Sequence, residues 1–255
     1  MITHYQPITQ DAPSPIIIKD MEQGSEEWIN ARLGVVTGSQ VNALNSLNFK
    51  LKTKKEKKEF ILNKKKVKAD FVTNESIDDA IERHTSSDGF MTYMYQKIAE
   101  LSTGRCEYVY QTPAMIHGNT YEPIAREEYE MARMEIVEQV GIIYRDNDKK
   151  LGFSPDGLVN DDGMIEIKCP KSQNHAKTIL EGYIKKEYVE QIQFGLFVTN
   201  RKWCDFVSYD PYSKIKKIHV IRIYPDKEHQ QKLKFVTGLF TSKLELLMQK
   251  LKDSK

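Results

Sequence analysis

Residues 153–170 read FSPDGLVNDDGMIEIKCP, and this stretch decides how the middle of the chain folds. Its centre, residues 160–163 (NDDG), contains residue types that tolerate the left-handed backbone of a tight reversal. Apolar residues are interleaved with polar ones on both sides of this turn, as in strands that pack on a core. Pro155 fixes its own backbone angle and lacks an N–H, which suits an irregular position at a strand end. The stretch predicts a hairpin within a sheet, with strands at 151–159 and 164–169.

Two acids and one lysine project from this hairpin. Alternate residues of a strand share a face, so Glu166 and Lys168 project together while Ile165 and Ile167 point into a core. The turn returns Glu166 toward the strand that carries Asp156. Grouped carboxylates favour a hard cation, and Mg²⁺ is the expected ion because it keeps several waters for substrate oxygens. The lysine would orient a water or offset anionic charge.

A solvated surface hairpin is the alternative interpretation of these residues. Glu-x-Lys triplets are common on protein surfaces, so the triplet at 166–168 does not by itself indicate a site. The Pro155–Asp156 pair stands ten residues before Glu166, with apolar residues between them. This combination favours a metal site suited to phosphate chemistry.

The composition is typical of a globular protein and does not indicate which reaction the protein could catalyse. The chain has 255 residues, of which 40% are hydrophobic and 29% charged, and it can bury one full core. We expect a single domain over 1–255, with a polar arm over about 1–20 and a lysine-rich insertion over about 48–88. The net charge is only +2, so any binding of nucleic acid must come from local clusters.

The spacing of the cysteines and the hydropathy of the chain indicate the cellular compartment of the protein. The three cysteines lie far apart without a Cys-x-x-Cys pair, which predicts neither a zinc site nor a disulfide framework. The first residues lack a charged-then-apolar signal pattern, and no apolar run has the length of a membrane span. We therefore expect a cytoplasmic protein without membrane insertion.

Helical and strand patterns are mixed along the rest of the chain. An apolar run at 16–18 could dock as an edge strand, and Ser25 could cap a helix that ends at Gly34. This mixture predicts an α/β fold, with a central mixed β-sheet flanked by helices. Further helices are predicted at 88–102, from 112 with a break or kink around 118–123, at 183–198 and at 226–252, and further strands at 136–144, 203–209 and 215–224.

An anion site is a second candidate feature. Thr37, Gly38 and Ser39 precede an apolar helical pattern, and the free N–H groups and dipole of a helix start attract anions. Arg32 could clamp a phosphate with two parallel hydrogen bonds. Ordinary capping by Ser39 beside a solvated arginine is the alternative, and the local sequence leaves both open.

The segment HGNTYE at 117–122 offers another acid. Glu122 lies next to the predicted helix break and could join the metal site. A first-turn glutamate stabilised by the helix dipole is the alternative. We expect His117 to pack or form hydrogen bonds rather than bind metal, because no second histidine stands at ligand spacing.

Two polar segments remain ambiguous in the sequence. Gln191 and Gln193 cannot share a helix face, because two positions differ by about 200° around the axis. One of them should therefore serve the site and the other should be structural. Residues 50–68 carry ten lysines and two glutamates, and they either neutralise DNA phosphates or form a solvated segment.

Six motifs in order resemble the phage-lambda-type exonuclease family (YqaJ-type viral recombinases), within the broader PD-(D/E)xK nuclease fold. The resemblance covers most of residues 24–212 and implies a restriction-endonuclease-like core. The motifs are ARLGVVTGSQ (31–40), HGNTYE (117–122), FSPDGL (153–158), IEIKCP (165–170), YVEQIQFGLFVT (188–199) and SYDP (208–211).

The resemblance also implies roles for individual residues. Lys168 matches the catalytic lysine, and Gln191 matches the glutamine beside the helix acid. The implied metal ligands are Asp156, Glu166, the carbonyl of Ile167 and the helix acid Glu122. The implied pocket for a 5′-phosphate consists of Arg32, Thr37, Ser39 and Ser154.

The activity implied by this resemblance is Mg²⁺-dependent 5′→3′ digestion of one strand of linear double-stranded DNA. Mn²⁺ would substitute, with two ions per site. The products would be mononucleotides and a 3′ single-stranded overhang for recombination. Family members form toroidal homotrimers and work with a single-strand annealing protein. A PD-(D/E)xK endonuclease and a non-catalytic DNA-binding module are the competing interpretations.

Overall fold

The computed structural model describes residues 14–45, 47–49, 84–86, 88–107 and 111–254. Most of the polar arm and nearly all of the lysine-rich insertion therefore lie outside the described residues. The predictions for the lysine run at 50–68 fall in this part of the chain and stay predictions.

The described residues contain both strands and helices. The strands are β1 (Ile16–Ile18), β2 (Val36–Thr37), β3 (Leu47–Phe49), β4 (His84–Ser86), β5 (Val137–Glu138), β6 (Ile142–Tyr144), β7 (Leu151–Phe153), β8 (Gly157–Val159), β9 (Gly163–Lys168), β10 (Trp203–Tyr209) and β11 (Ile218–Ile223). The helices are α1 (Glu26–Ala31), a 3₁₀ helix (Gly38–Asn45), α2 (Asp88–Thr103), α3 (Pro113–Arg133), α4 (Ser172–Glu181), α5 (Lys186–Thr199) and α6 (Lys227–Asp253).

The strands form two mixed sheets and a short ribbon. One sheet has the order β1-β6-β7-β2, the other has the order β11-β10-β9-β8-β5, and β3 pairs with β4. In the larger sheet, β9 is parallel to β10 and antiparallel to β8. The predicted α/β class with a mixed sheet and flanking helices is confirmed. The apolar run Ile16–Ile18 is an edge strand, as predicted.

The strand predicted over 151–159 is divided between the two sheets. β7 pairs with β6 in the smaller sheet, and β8 pairs with β9 in the larger one. The prediction of one strand was wrong because Ser154–Asp156, which contains Pro155, joins the two sheets instead of continuing either ladder. The strand predicted over 136–144 is divided between the sheets in the same way, into β5 and β6.

Helix α3 is continuous where a break or kink around 118–123 was predicted, so the helix does not break there. Thr112 caps its start by accepting a hydrogen bond from Met115 N, and Pro113 occupies the first turn. Pro123 lies inside the helix on an exposed side, where solvent can satisfy the carbonyl that loses its partner. The expectation of a break was wrong because this exposure depends on how the helix packs. Helix α4 was not predicted.

The larger sheet separates two apolar clusters. Ile165 and Ile167 of β9 pack with Ala125 and Tyr129 of α3. Met164, on the opposite face of the same strand, packs in the main core with residues of α2, α5 and α6. The predicted alternation of β9 is confirmed, and it leaves Glu166 and Lys168 on the face away from α3. No helix in the described parts of the chain is long and apolar enough to cross a membrane.

Candidate active site

The hairpin of β8 and β9 brings the two predicted acids together. Asn160 adopts a left-handed conformation with φ of 49° in the turn, as the residue types predicted. Gly157 pairs with Ile165, which places Asp156 beside the following part of β9. The Ile167 N–H donates a hydrogen bond of 2.6 Å to Asp156 Oδ2. Asp156 is therefore held against the strand that carries Glu166.

Glu166 is the most deeply buried acid of this site, with a relative exposure of 1%. Its Oε1 accepts hydrogen bonds from Lys168 Nζ and, at 2.6 Å, from Gln191 Nε2. Its Oε2 is buried and has no hydrogen-bond partner among the described residues. A buried carboxylate oxygen without a partner is costly, and a hard cation is the kind of group that it would bind.

The pKa shifts describe a cluster with excess negative charge. Burial, with a contribution from Asp156, raises the pKa of Glu166 to about 7, although Lys168 opposes the rise. Burial also raises the pKa of Asp156, against the effects of Lys168 and the Ile167 N–H. Burial alone would lower the pKa of Lys168, but the charges of Glu166 and Asp156 outweigh it and raise that pKa. The lysine therefore stays charged, and it does not by itself balance the acids.

Glu122 joins the site through an arginine of the same helix. Arg126 donates from Nη2 to Glu122 Oε1 at 2.6 Å and from Nε to the carbonyl of Asp156 at 3.0 Å. Burial and the charge of Asp156 raise the pKa of Glu122 to about 7, with Arg126 opposing. Within the described ranges, no three His, Cys, Asp or Glu side chains form a group that could hold a metal. The donor set that fits a cation is the pair Asp156 and Glu166.

The structure separates the two glutamines of α5. Gln191 contacts Glu166, whereas Gln193 is buried and donates to the carbonyl of Tyr224 at 2.8 Å. Gln193 also accepts from Asp226 N at 2.9 Å, which ties the start of α6 to α5. One glutamine therefore contacts the acid site and the other makes structural contacts, as their helical spacing predicted.

Ser154 connects the predicted phosphate pocket to the hairpin. Arg32 Nη1 lies 3.5 Å from Ser154 Oγ, to which Trp28 Nε1 also donates at 2.9 Å. The guanidinium of Arg32 stacks over the Trp28 ring, with Cζ 3.9 Å from its centre. Since Ser154 stands two residues before Asp156, the arginine is linked directly to the chain segment that carries the acid.

The turn at 37–39 packs against the same region. Thr37 Oγ1 and Ser39 Oγ lie 3.5 Å apart, and Thr37 N donates to Tyr93 Oη at 3.1 Å. A Cβ at Gly38 would lie 2.6 Å from the Phe153 ring and 3.4 Å from the Gln191 side chain. Only glycine allows this approach, which brings the hydroxyl pair to the acid site. The helix that opens here is 3₁₀ and not α.

Two residues in these contacts were not singled out from the sequence. Arg126 follows Glu122 by four positions, and Trp28 precedes Arg32 by four. Helical spacing of this kind predicts side-chain contact and could have identified both residues. The second bond of Arg126, to the Asp156 carbonyl, had no signal in the sequence because it joins a helix to a distant turn.

Comparison with known proteins places this fold and site in a family. Residues 27–202 match the model of the YqaJ-like viral recombinase domain. The chain belongs to the YqaJ-like viral recombinase family. This confirms the resemblance found in the motifs. No curated protein sequence matches the chain.

Three solved structures similar to this YqaJ-like chain are of exonucleases. An alkaline exonuclease, LHK-Exo, from Laribacter hongkongensis is 33% identical with a TM-score of 0.69, and the match covers 90% of this chain and 97% of that one. LHK-Exo in complex with dAMP is 32% identical with a TM-score of 0.68 over the same shares. A phage-related exonuclease from Haemophilus somnus 129PT has the same fold, at 14% identity and a TM-score of 0.51 over 85% of this chain and 96% of that one. Family and neighbours together support a nuclease of the lambda-exonuclease type.

Proposed function

We propose that this protein is a Mg²⁺-dependent exonuclease that digests one strand of linear double-stranded DNA in the 5′→3′ direction. It releases mononucleotides and leaves a 3′ single-stranded overhang for recombination by strand annealing. One observation supports the proposal: Arg32 lies against Ser154, two residues before Asp156, and Gly38 packs the turn at 37–39 against Phe153 and Gln191. An anion pocket beside an acid site suits an enzyme that holds a terminal phosphate while it cleaves nearby.

The buried acids account for the metal requirement. Asp156, Glu166 and the carbonyl of Ile167 would hold Mg²⁺, and Mn²⁺ could replace it with the same ligand types. The family resemblance suggests two ions and adds Glu122 to the ligands. When bound, the metal would acidify a water and neutralise charge that develops on the phosphate. Glu166 Oε2, which no group in the described part of the chain hydrogen-bonds, supports this assignment.

The remaining residues of the acid site position groups and balance charge. Lys168 keeps its charge because its pKa is raised, so it can stabilise negative charge on the phosphate or orient a water. Gln191 holds Glu166 Oε1 through its amide. Arg126 fixes Glu122 and the backbone of Asp156 in the same way.

The pocket of Arg32, Thr37, Ser39 and Ser154 would bind the 5′-terminal phosphate. Arg32 is stacked on Trp28 before any substrate arrives, so little freedom is lost when it forms bonds to phosphate oxygens. Each cut creates a new 5′-phosphate, and its attraction to the pocket would draw the strand forward by one nucleotide. The pocket thus accounts for both the 5′ start and processive digestion.

The structural neighbours are consistent with this chemistry. LHK-Exo is an alkaline exonuclease and has been crystallised with dAMP, which is a nucleoside monophosphate of the kind that this reaction would release. The proposal includes a toroidal homotrimer and a single-strand annealing partner, which rest on the family resemblance. Sedimentation analysis of the full chain tests the trimer.

A digestion assay tests the proposal directly. Linear duplexes with a 5′-phosphate or a 5′-hydroxyl are incubated with the protein, with and without Mg²⁺, beside closed circular DNA. We expect mononucleotides from the phosphorylated ends only in the presence of Mg²⁺, slower digestion of hydroxyl ends, and intact circles. Cleavage of the circles would instead identify an endonuclease. DNA binding with no cleavage of any substrate, even in the presence of Mg²⁺, would identify a DNA-binding module.

A further inference from the structure

Three aromatic rings form an exposed cluster beside the acid site. The rings of His117 and Tyr121 on α3 lie 4.7 Å apart, and the His117 ring is stacked at 6.4 Å from Tyr212, which follows β10. The hydroxyl groups of the two tyrosines are 3.2 Å apart. Tyr212 is 67% exposed, so the cluster is open to solvent rather than part of a core. The packing of His117 agrees with its sequence prediction.

The fold places this cluster next to the proposed catalytic groups. Tyr121 immediately precedes Glu122, and it packs against the same apolar cluster as Cys169, the neighbour of Lys168. β10 runs parallel to β9 with Ser208 opposite Lys168, so the segment after β10 leaves the sheet at the end where Lys168 lies. The cluster therefore lies next to Glu122 on the α3 face, at the end of the sheet where Lys168 lies.

The turn that carries Tyr212 is held in place by the SYDP motif, which the proposed active site does not use. Asp210 is buried, and its Oδ1 accepts a hydrogen bond of 3.0 Å from Tyr212 N. Asp210 N donates in turn to the carbonyl of Lys217 at 2.9 Å. The exposed ring is thus presented on an ordered turn, as a preformed binding surface requires.

The charge around Tyr212 indicates the class of ligand. The segment after it, residues 213–217 (SKIKK), contains three exposed lysines: Lys214, Lys216 and Lys217. Exposed aromatic rings next to a positively charged strip are how proteins bind single-stranded nucleic acid without sequence preference, because every base has a flat face that can stack. A partner protein bound through apolar contacts would not need these charges.

We propose that His117, Tyr121 and Tyr212 form a stacking platform for an unpaired nucleobase of the DNA substrate. This inference rests on the proposed nuclease function and extends it to a part of the substrate other than the phosphate. Tyr212 supplies the exposed ring face, and the lysines after it contact the flanking phosphates. The base comes either from the strand being digested or from its complement, since both are unpaired at a frayed end.

Binding experiments without divalent metal test the platform. The full chain is titrated with a short single-stranded oligonucleotide and with an abasic strand of the same length. We expect Tyr212→Ala to weaken binding of the base-containing strand about tenfold and to leave binding of the abasic strand nearly unchanged. Tyr212→Trp and Tyr212→Phe should retain the preference, because both keep a ring.

A matched control and three refuting outcomes complete the test. Tyr224 is 57% exposed and follows β11, which is antiparallel to β10, so it lies at the opposite end of the sheet. Tyr224→Ala should bind both strands as wild type does. The platform is refuted if Tyr212→Ala binds the base-containing strand normally, or if it weakens both strands equally. It is also refuted if Tyr212→Phe behaves like Tyr212→Ala, because the hydroxyl contact alone would then matter.

Duplexes labelled with 2-aminopurine identify the source of the base. The fluorescent base is placed at the 5′ end of one strand or at the facing 3′ end of its complement, and stacking on an aromatic ring quenches it. Quenching that Tyr212→Ala removes from one label assigns the platform to that strand. If Tyr212→Ala changes neither signal, the platform is excluded.

These measurements separate the platform from the proposed function. Binding and quenching are recorded without cleavage, whereas the proposed function is tested by Mg²⁺-dependent digestion. Base-dependent binding by a protein that digests no DNA would preserve the platform and overturn the exonuclease. If the protein digests DNA but Tyr212→Ala leaves binding unchanged, the exonuclease is preserved and the platform is overturned.

Discussion

The acid hairpin and the phosphate pocket differ in how each carries its charge. Glu166 is buried between Lys168 and the other acids of the site, and its pKa is raised to about 7 mainly by burial. Arg32 is only half-buried and is already stacked on Trp28. A cation would complete the acid side, whereas the proposed pocket presents a positive charge to an anion. A metal ion would complement the acid side, and a terminal phosphate would complement the pocket.

The largest expected effect concerns Lys168, which contacts the buried Glu166. We expect Lys168→Ala to lower the digestion rate by a factor on the order of 10³ in Mg²⁺, because the phosphate loses a positioned positive charge. Single-turnover digestion of a 5′-phosphorylated duplex measures this.

Lys185 offers a matched control for this experiment. Lys168 Nζ and Lys185 Nζ both lie 5.4 Å from the centre of the Tyr188 ring, but Lys168 also contacts Glu166. Lys185→Ala should digest DNA at nearly the wild-type rate. Equal losses in the two variants would mean that general positive charge near Tyr188, and not the contact with the acid, is what matters.

Removal of Arg32 should affect the pocket side selectively. We expect Arg32→Ala to slow digestion of 5′-phosphorylated ends roughly 10- to 100-fold, the range for a lost hydrogen-bonded charge. Digestion of 5′-hydroxyl ends should change little, and runs on long duplexes should become shorter. Arg32→Lys, which keeps the charge but loses the planar fork, should fall between. Unchanged rate and processivity on phosphorylated ends would contradict the assignment of the pocket.

Arg126 tests whether a residue outside the predicted site positions the acids. Its two hydrogen bonds hold Glu122 and the Asp156 carbonyl. We expect Arg126→Ala to reduce the rate about tenfold, as typical for partners of metal ligands, and to raise the Mg²⁺ concentration needed for half-maximal activity. Arg126→Lys should recover part of both. A rate loss without any change in the Mg²⁺ dependence would argue against positioning.

The smallest effect concerns the stability of the metal-free protein. The folded state holds protons on Glu166 and Glu122 up to a pKa of about 7, whereas the unfolded chain releases them near 4.5. The folded state therefore binds more protons between these values, and its stability falls as pH rises from about 4.5 to 7. Thermal melts in a chelator should show this fall, and added Mg²⁺ should reverse it.

Glu166→Gln isolates the buried acid in the same melts. It should flatten the fall with pH and raise the melting temperature at pH 8, by about 2–4 °C for each kcal/mol regained. Its melting temperature should respond less to Mg²⁺ than that of the wild type. A steeper pH dependence of the melting temperature in this variant would show that Glu166 does not cause the fall in stability with pH.

Much of the acid site could be predicted because it is local. The strand period alone places Glu166 and Lys168 on one face, and the NDDG turn brings Asp156 beside them. The different contacts of Gln191 and Gln193 followed from helical geometry in the same way. These are relations between residues close in sequence, so no knowledge of the fold was needed.

The phosphate pocket was less predictable because its parts are distant in sequence. Arg32 and Ser154 are 122 residues apart, and the residues alone left ordinary capping open as an alternative for Ser39. Resemblance to a family suggested the grouping. The approach of Gly38 to Phe153 and Gln191, which brings the turn to the acids, came only from packing.

Sequence by itself determined which residues share a strand face, where the hairpin turns and which chemical groups it presents, because backbone geometry and turn propensity act over a few residues. Tertiary structure alone decided that the strand over 151–159 divides between two sheets and that α3 continues through Pro123. It also decided that Glu166 Oε2 is buried without a hydrogen-bond partner among the residues that the structure describes. Each of these depends on which distant surfaces pack together and on which atoms that packing hides from water. The unbalanced charge of the acid site follows from such burial, and for that reason only the folded chain reveals it.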